Sequence, residues 1–216
     1  MTRFPVFFPA AFLLLTVAYS FSDQCGSFRD AQERSRIDFA PLEGFVEVCS
    51  QDFQLCVQLT QGYPPSVQTI GYFVPTEEWK QYQNGQHKGF SRYLIAQKAE
   101  TWSAEKFTGF KSYVHSQQGD IADHTDLAAV FELHGRVSLG IIDETEDSIS
   151  SGTILKLTET AIKRDVMLAA INIMLQLKGE TLSLYVYDTV KNVNDTDRIK
   201  GLAKRWLQCI RAQNSK

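Results

Sequence analysis

Two apolar stretches within Lys163 to Val190, KRDVMLAAINIMLQLKGETLSLYVYDTV, are interrupted only by Lys178, Gly179 and Glu180, which reads as a β-hairpin. In the second stretch Leu182, Leu184 and Val186 alternate with Ser183, Tyr185 and Tyr187, the period of a strand with two unlike faces. The first stretch, Val166 to Leu177, is apolar on both faces and reads as a central strand covered on each side. An isolated hairpin is marginal in water, so the rest of the chain must cover this one.

Taken in order, Asp23 to Arg36 is a polar arm, and the domain proper begins near Ile37. Gly44 to Cys49 alternates as a strand. Ser50 is the expected N-cap of a helix over SQDFQLCVQLTQG, although Leu55, Val57 and Leu59 also fit a strand. Tyr63-Pro64-Pro65-Ser66 must break regular structure, because two consecutive prolines remove two backbone donors. A strand over Val67 to Val74, a short helix capped by Thr76 and a strand over Phe90 to Ala99 follow. Ser103 opens a helix with Phe107, Phe110 and Val114 on one face. Between Gly119 and Gly135 a short helix and a strand fit equally. Strands at Arg136–Asp143 and Ile149–Thr158 flank the acidic turn Glu144-Thr145-Glu146-Asp147. After the hairpin, Asn194 or Asp195 caps a last helix whose Ile199, Leu202, Trp206, Cys209 and Ile210 form one apolar face that needs a sheet beneath it. The expected fold is therefore α+β: a mostly antiparallel sheet with covering helices and a C-terminal helix packed on it.

This order of elements, closed by a helix carrying Trp206, resembles the PsbP-like α/β sandwich of exported proteins over about 170 residues. The resemblance implies an antiparallel sheet with helices on its faces and an assembly or binding role rather than an enzymatic one.

Composition adds a leader. Residues 1–22 carry Arg3, an apolar run from Phe4 to Ala18 and the small-x-small pattern Ala18-Tyr19-Ser20, which together read as a cleaved signal peptide. The run is too short for the roughly 20 apolar residues of a spanning helix. The expected organisation is a signal peptide at 1–22, an arm at 23–36 and a single domain at 37–216, periplasmic or extracellular, with no membrane span after cleavage. The 22 basic residues lose Arg3 with the leader, leaving 21 against 25 acids. That balance argues against a nucleic-acid partner, which requires a basic footprint, and none is expected.

All four cysteines lie beyond the leader and so meet an oxidising compartment. Three complete pairings exist; Cys49 with Cys56 and Cys25 with Cys209 are preferred, the second tying the mature N-terminus to the last helix.

Candidate chemistry is sparse. Asp120, Asp123, His124 and Asp126 form the one dense group of ligand-type side chains, and on a helix Asp120, Asp123 and His124 share a face. The group lacks EF-hand spacing, so a solvated loop is the plainer reading and a divalent cation the sharper one. There is no GxSxG elbow, P-loop or dinucleotide fingerprint, and no other cofactor is implied. The expected function is an exported, non-enzymatic binding protein, such as an assembly factor or an inhibitor, with another protein or envelope component as partner. The alternative is a secreted hydrolase or metal-binding protein using the Asp120–Asp126 region. For a binding surface the expected residues are Tyr63, Pro64 and Pro65 as a rigid apolar contact and Asp143, Glu144, Glu146 and Asp147 for steering.

Overall fold

The computed structural model describes Cys25 and residues 37–39, 41–61, 63, 67–86, 89–98, 100–120, 131–160, 163–192 and 195–215. The expected signal peptide and nearly all of the expected arm lie outside these residues, as do Pro64, Pro65, Asp123, His124 and Asp126.

The seven strands are β1 (Phe45–Glu47), β2 (Gln68–Pro75), β3 (Arg92–Lys98), β4 (Phe131–Glu144), β5 (Ser148–Glu159), β6 (Arg164–Leu177) and β7 (Glu180–Val190). They form one sheet in the order β1-β2-β3-β7-β6-β5-β4, every neighbouring pair antiparallel. The hairpin of β6 and β7 turns at Lys178-Gly179, both at positive φ, where glycine carries no steric penalty. It occupies the middle of the sheet, which accounts for the unbroken apolar run of β6.

Four helices accompany the sheet: α1 (Phe53–Thr60), α2 (Thr76–Gln83), α3 (Ala104–Ser116) and α4 (Asp197–Asn214). On one face α4 lays Ile199, Leu202, Trp206 and Ile210 over Leu184, Val186, Ile171 and Ile173. The segment with Ile37, Phe39 and Leu42 joins that layer, and Phe73 meets Trp206 edge-on at 6.0 Å. The other face carries two smaller cores. Leu55 of α1 and Trp79 of α2 pack with Tyr72, Val74, Ile95 and Tyr187, while Phe107 and Val114 of α3 pack on Ile149 and Met174. Buried Asp188 of β7 receives Arg198 of α4 through two hydrogen bonds, at 2.7 and 2.9 Å, with Arg92 at 3.3 Å.

Both preferred disulfides are present. Cys25–Cys209 ties the N-terminal side of the domain to α4, and Cys49–Cys56 closes the turn before α1 onto that helix.

Three local expectations are corrected and one open alternative is settled. The side chain capping α1 is Asp52, which accepts from Leu55 N at 2.9 Å, not Ser50; the Ser50 hydroxyl turns back to the Glu47 carbonyl instead. Thr76 does not cap α2, because the β1–β2 ladder runs to Pro75 and the Thr76 N–H is taken by the Gly44 carbonyl. Asp195 does not cap α4: Thr196 precedes the helix and contributes no side-chain bond, and Asn194 lies outside the described residues. The alternative left open before Gly135 is settled for Phe131 to Gly135, which are strand. β5 extends to Glu159 and supplies the ladder that draws them in, Phe131 opposite Glu159 and Leu133 opposite Leu157.

Candidate binding surface around α1

Glu47 ends β1 with its side chain turned inward, 5% exposed. Its carboxylate accepts from three backbone donors: Cys49 N at 3.0 Å and Tyr72 N at 3.1 Å on Oε1, and Ser50 N at 2.7 Å on Oε2. A buried carboxylate is tolerated when backbone N–H groups surround it, and here it bends the chain sharply out of the sheet. Gln51 N and Asp52 N both return to the Val48 carbonyl, Asp52 starts α1, and Cys49–Cys56 locks the turn with Cα atoms 4.7 Å apart.

The consequence is a short helix with little freedom. It uses Leu55 as its buried anchor, with Leu59 partly buried beside the same core. Its outward stripe then falls on Phe53, 72% exposed, and Val57, 48% exposed, one turn apart. Phe53 is the most exposed of the large apolar side chains among the described residues. Leaving it there forfeits about 1–2 kcal/mol of burial free energy, taking the usual value for a full phenylalanine and scaling to its exposure.

Beside α1 lies an open cleft of about 480 Å³ lined by Gln51, Asp52, Trp79, Tyr82, Gln83 and Gly85. Trp79 and Tyr82 stack in it, centroids 5.7 Å apart and planes 11° from parallel, with Phe90 behind them. Tyr63, just past the C-terminal end of α1, is half-buried against the core shared with Trp79 and Leu55.

The other expected residues are differently placed. Glu144 is held by His115 Nε2 at 2.7 Å and Lys111 Nζ at 3.2 Å, both from α3. The hydrogen bond from His115 and the Lys111 charge hold its carboxyl below the usual range. Asp147 pairs with Arg211 of α4 and accepts from Thr145 Oγ1 at 2.6 Å. Burial pushes the Asp147 carboxyl up, but the Thr145 hydroxyl and the Arg211 guanidinium together bring it below its ordinary value. Arg211 also reaches Thr145 Oγ1 and Ser148 Oγ, and Lys111 reaches the Thr145 and Glu146 carbonyls. Two of the four acids of the turn thus bind it to α3 and α4, while Asp143 and Glu146 remain exposed. The turn and the α1 surface do not form one patch: the turn packs with α3 and α4, the α1 surface with β1 and α2.

Asp120 meets Arg136 of β4 at 3.1 Å. Among the described residues no group of three or more His, Cys, Asp and Glu side chains converges as a metal site would require. A second open cleft, about 470 Å³, lies at the far end of the sheet and includes His134, Lys156, Asp165 and Lys191. There Thr158 Oγ1 donates to Asp165 at 2.6 Å and sits 2.8 Å from His134 Nε2. The hydroxyl is already engaged on both sides, and the arrangement ties three strands together.

Sequence reading missed Phe53 and Val57. Periodicity assigns apolar residues to the interior, and only Leu55 settles which side of so short a helix faces in. The available signal was the cysteine spacing: a bridge between Cys49 and Cys56 puts Cys56 beside the preceding turn and thereby turns Val57 outward.

No family model matches the chain, and no curated protein sequence matches it. Among solved structures, the Saccharomyces cerevisiae Ran-binding protein Mog1p is similar over 88% of this chain and 93% of its own, at 9% identity and a TM-score of 0.40. CyanoP, the cyanobacterial PsbP of Synechocystis sp. PCC 6803, is similar over 86% of this chain and 91% of its own, at 12% identity and a TM-score of 0.40. A PsbP-like protein, of the family that the element order resembles, is thus among the similar solved structures.

Proposed function

We propose that this protein works by binding another protein through the α1 surface, outside the cytoplasm, and without turning over a substrate. The observation that carries the reading is Phe53, an exposed aromatic on a helix held by a disulfide and by the buried Glu47 carboxylate. Interfaces favour aromatic anchors, and a rigid anchor loses little entropy when it docks. The oxidising compartment is supported by the two disulfides and by the leader pattern.

The test is affinity capture from the native secretion fluid or envelope with wild type, Phe53→Asp and Tyr113→Asp side by side. Tyr113 is 51% exposed on α3 and serves as a distant control. A partner is accepted only if wild type and Tyr113→Asp retain it, Phe53→Asp loses it, and the purified partner binds the purified protein. In that titration Phe53→Ala is expected to cost about 2 kcal/mol or more, the size of an interface hot spot. Binding equally strong in all three proteins refutes the α1 assignment.

A further inference from the structure

Among the described residues the cleft beside α1 is lined by one carboxyl side chain, Asp52, and by no cationic one. Asp52 commits Oδ1 to capping Leu55 N, and neither its Oδ2 nor the polar side-chain atoms of Gln51, Tyr82 and Gln83 have a hydrogen-bond partner among the described residues. Tyr82 is partly exposed and lies flat over the buried Trp79, offering a ring face backed by a second ring. No basic residue occurs in α1, and Lys80 of α2 is engaged with Glu77 at 2.8 Å.

A cleft with a free carboxylate oxygen, uncommitted amide and hydroxyl acceptors and a stacked aromatic face suits a cation that is planar and rich in N–H donors. An ammonium satisfies the charge but cannot lie flat on a ring while donating in several directions. We infer that this cleft receives an arginine side chain of the protein partner, the guanidinium stacking on Tyr82 and donating to Asp52 Oδ2, while the partner's apolar contact lies on Phe53 and Val57. The inference rests on the α1 reading for the identity of the partner, whereas the cleft chemistry is testable without it.

The probe is acetyl-arginine methylamide, titrated into the full mature protein and followed by backbone amide NMR, with the neutral isostere acetyl-citrulline methylamide and with acetyl-lysine methylamide as comparisons. Arginine is expected to give saturable shifts at Gln51, Asp52, Tyr82 and Gly85, with citrulline at least about tenfold weaker and lysine between them, because a hydrogen bond to a charged group is lost. Asp52→Asn retains the helix cap, since Asn caps as well as Asp, and is expected to weaken arginine about tenfold. Tyr82→Ala is expected to weaken it as well, and Phe53→Ala to leave it unchanged. No saturable arginine shift, citrulline binding as tightly as arginine, or an unaffected Asp52→Asn each overturns the assignment. If Phe53→Asp loses the protein partner but arginine does not titrate, the cleft assignment alone falls. If arginine titrates but Phe53→Asp keeps the partner, the α1 reading alone falls.

Discussion

Glu47 supports a graded prediction, because the three backbone donors it satisfies differ in their access to water. Tyr72 is 5% exposed and Cys49 is half-buried, whereas Ser50 is exposed. In Glu47→Gln the amide oxygen can take the place of Oε1 and keep Cys49 N and Tyr72 N, which leaves the new NH₂ facing Ser50 N, a donor that water can reach. The expected cost is about 1 kcal/mol, the lower end of the range for an orphaned donor. Glu47→Ala strips all three bonds and leaves two donors shielded, so roughly 2–6 kcal/mol is expected at 1–3 per orphaned group. Urea unfolding of the disulfide-intact protein measures both, with an unchanged slope confirming that the native state keeps its compactness. A second readout is local: the Cys49–Cys56 bridge should be reduced faster by dithiothreitol in Glu47→Ala, while Cys25–Cys209 should not. An Ala variant within about 0.5 kcal/mol of wild type, the ordinary scatter of surface substitutions, would refute the claim that this carboxylate holds the α1 turn.

The two disulfides should contribute unequally. With sequence separations of 184 and 7, loop-closure entropy is worth roughly 5 kcal/mol for Cys25–Cys209 and 2.5 kcal/mol for Cys49–Cys56. Calorimetry of the two paired Cys→Ala variants should therefore lower Tm by about 10–20 °C and 5–10 °C, and the reverse order would contradict this account. Acid should also weaken the turn between β4 and β5. Glu144 and Asp147 have folded-state carboxyls held below their ordinary values of 4.5 and 3.8, so their stabilisation is present above those values and is lost as pH falls through the lower folded ones. Arg211→Met should flatten the acid limb of a stability–pH curve below about pH 4; a limb as steep as that of wild type would show that Asp147 draws nothing from Arg211.

The α1 surface and the central hairpin were not equally legible in the chain. The hairpin was, because period-two alternation in β7 and the uniform apolar run of β6 are direct consequences of one strand pair buried in mid-sheet. Phe107, Phe110 and Val114 in α3 and the Trp206 face of α4 were legible for the same reason at the helical period. The caps misread at Ser50 and Thr76 fail on a shared principle: a side chain competent to cap does so only if no stronger partner claims the local backbone. Glu47 claimed the donors at Cys49 and Ser50, and the β1–β2 ladder set the start of α2. The acidic turn illustrates the opposite limit. Four carboxylates in five residues read as a steering surface, but Lys111 and Arg211, 33 and 64 residues away from the acids they hold, neutralise two of them.

By itself the sequence determined the α+β class, the antiparallel meander and the covering helices, since these follow from local periodicity and from which apolar faces require cover; it left three cysteine pairings open, and the tertiary structure chose between them. Only the tertiary structure decided the strand order, in which β7 joins β3, and with it the face of the sheet that α1 and α2 share. It alone decided that Phe53 points outward, that Glu47 points in, and that Asp52 lies in one cleft with Trp79 and Tyr82. Each of these depends on contacts between segments distant in the chain, and the free energy that selects them is a packing and hydrogen-bonding term that no window of neighbouring residues contains.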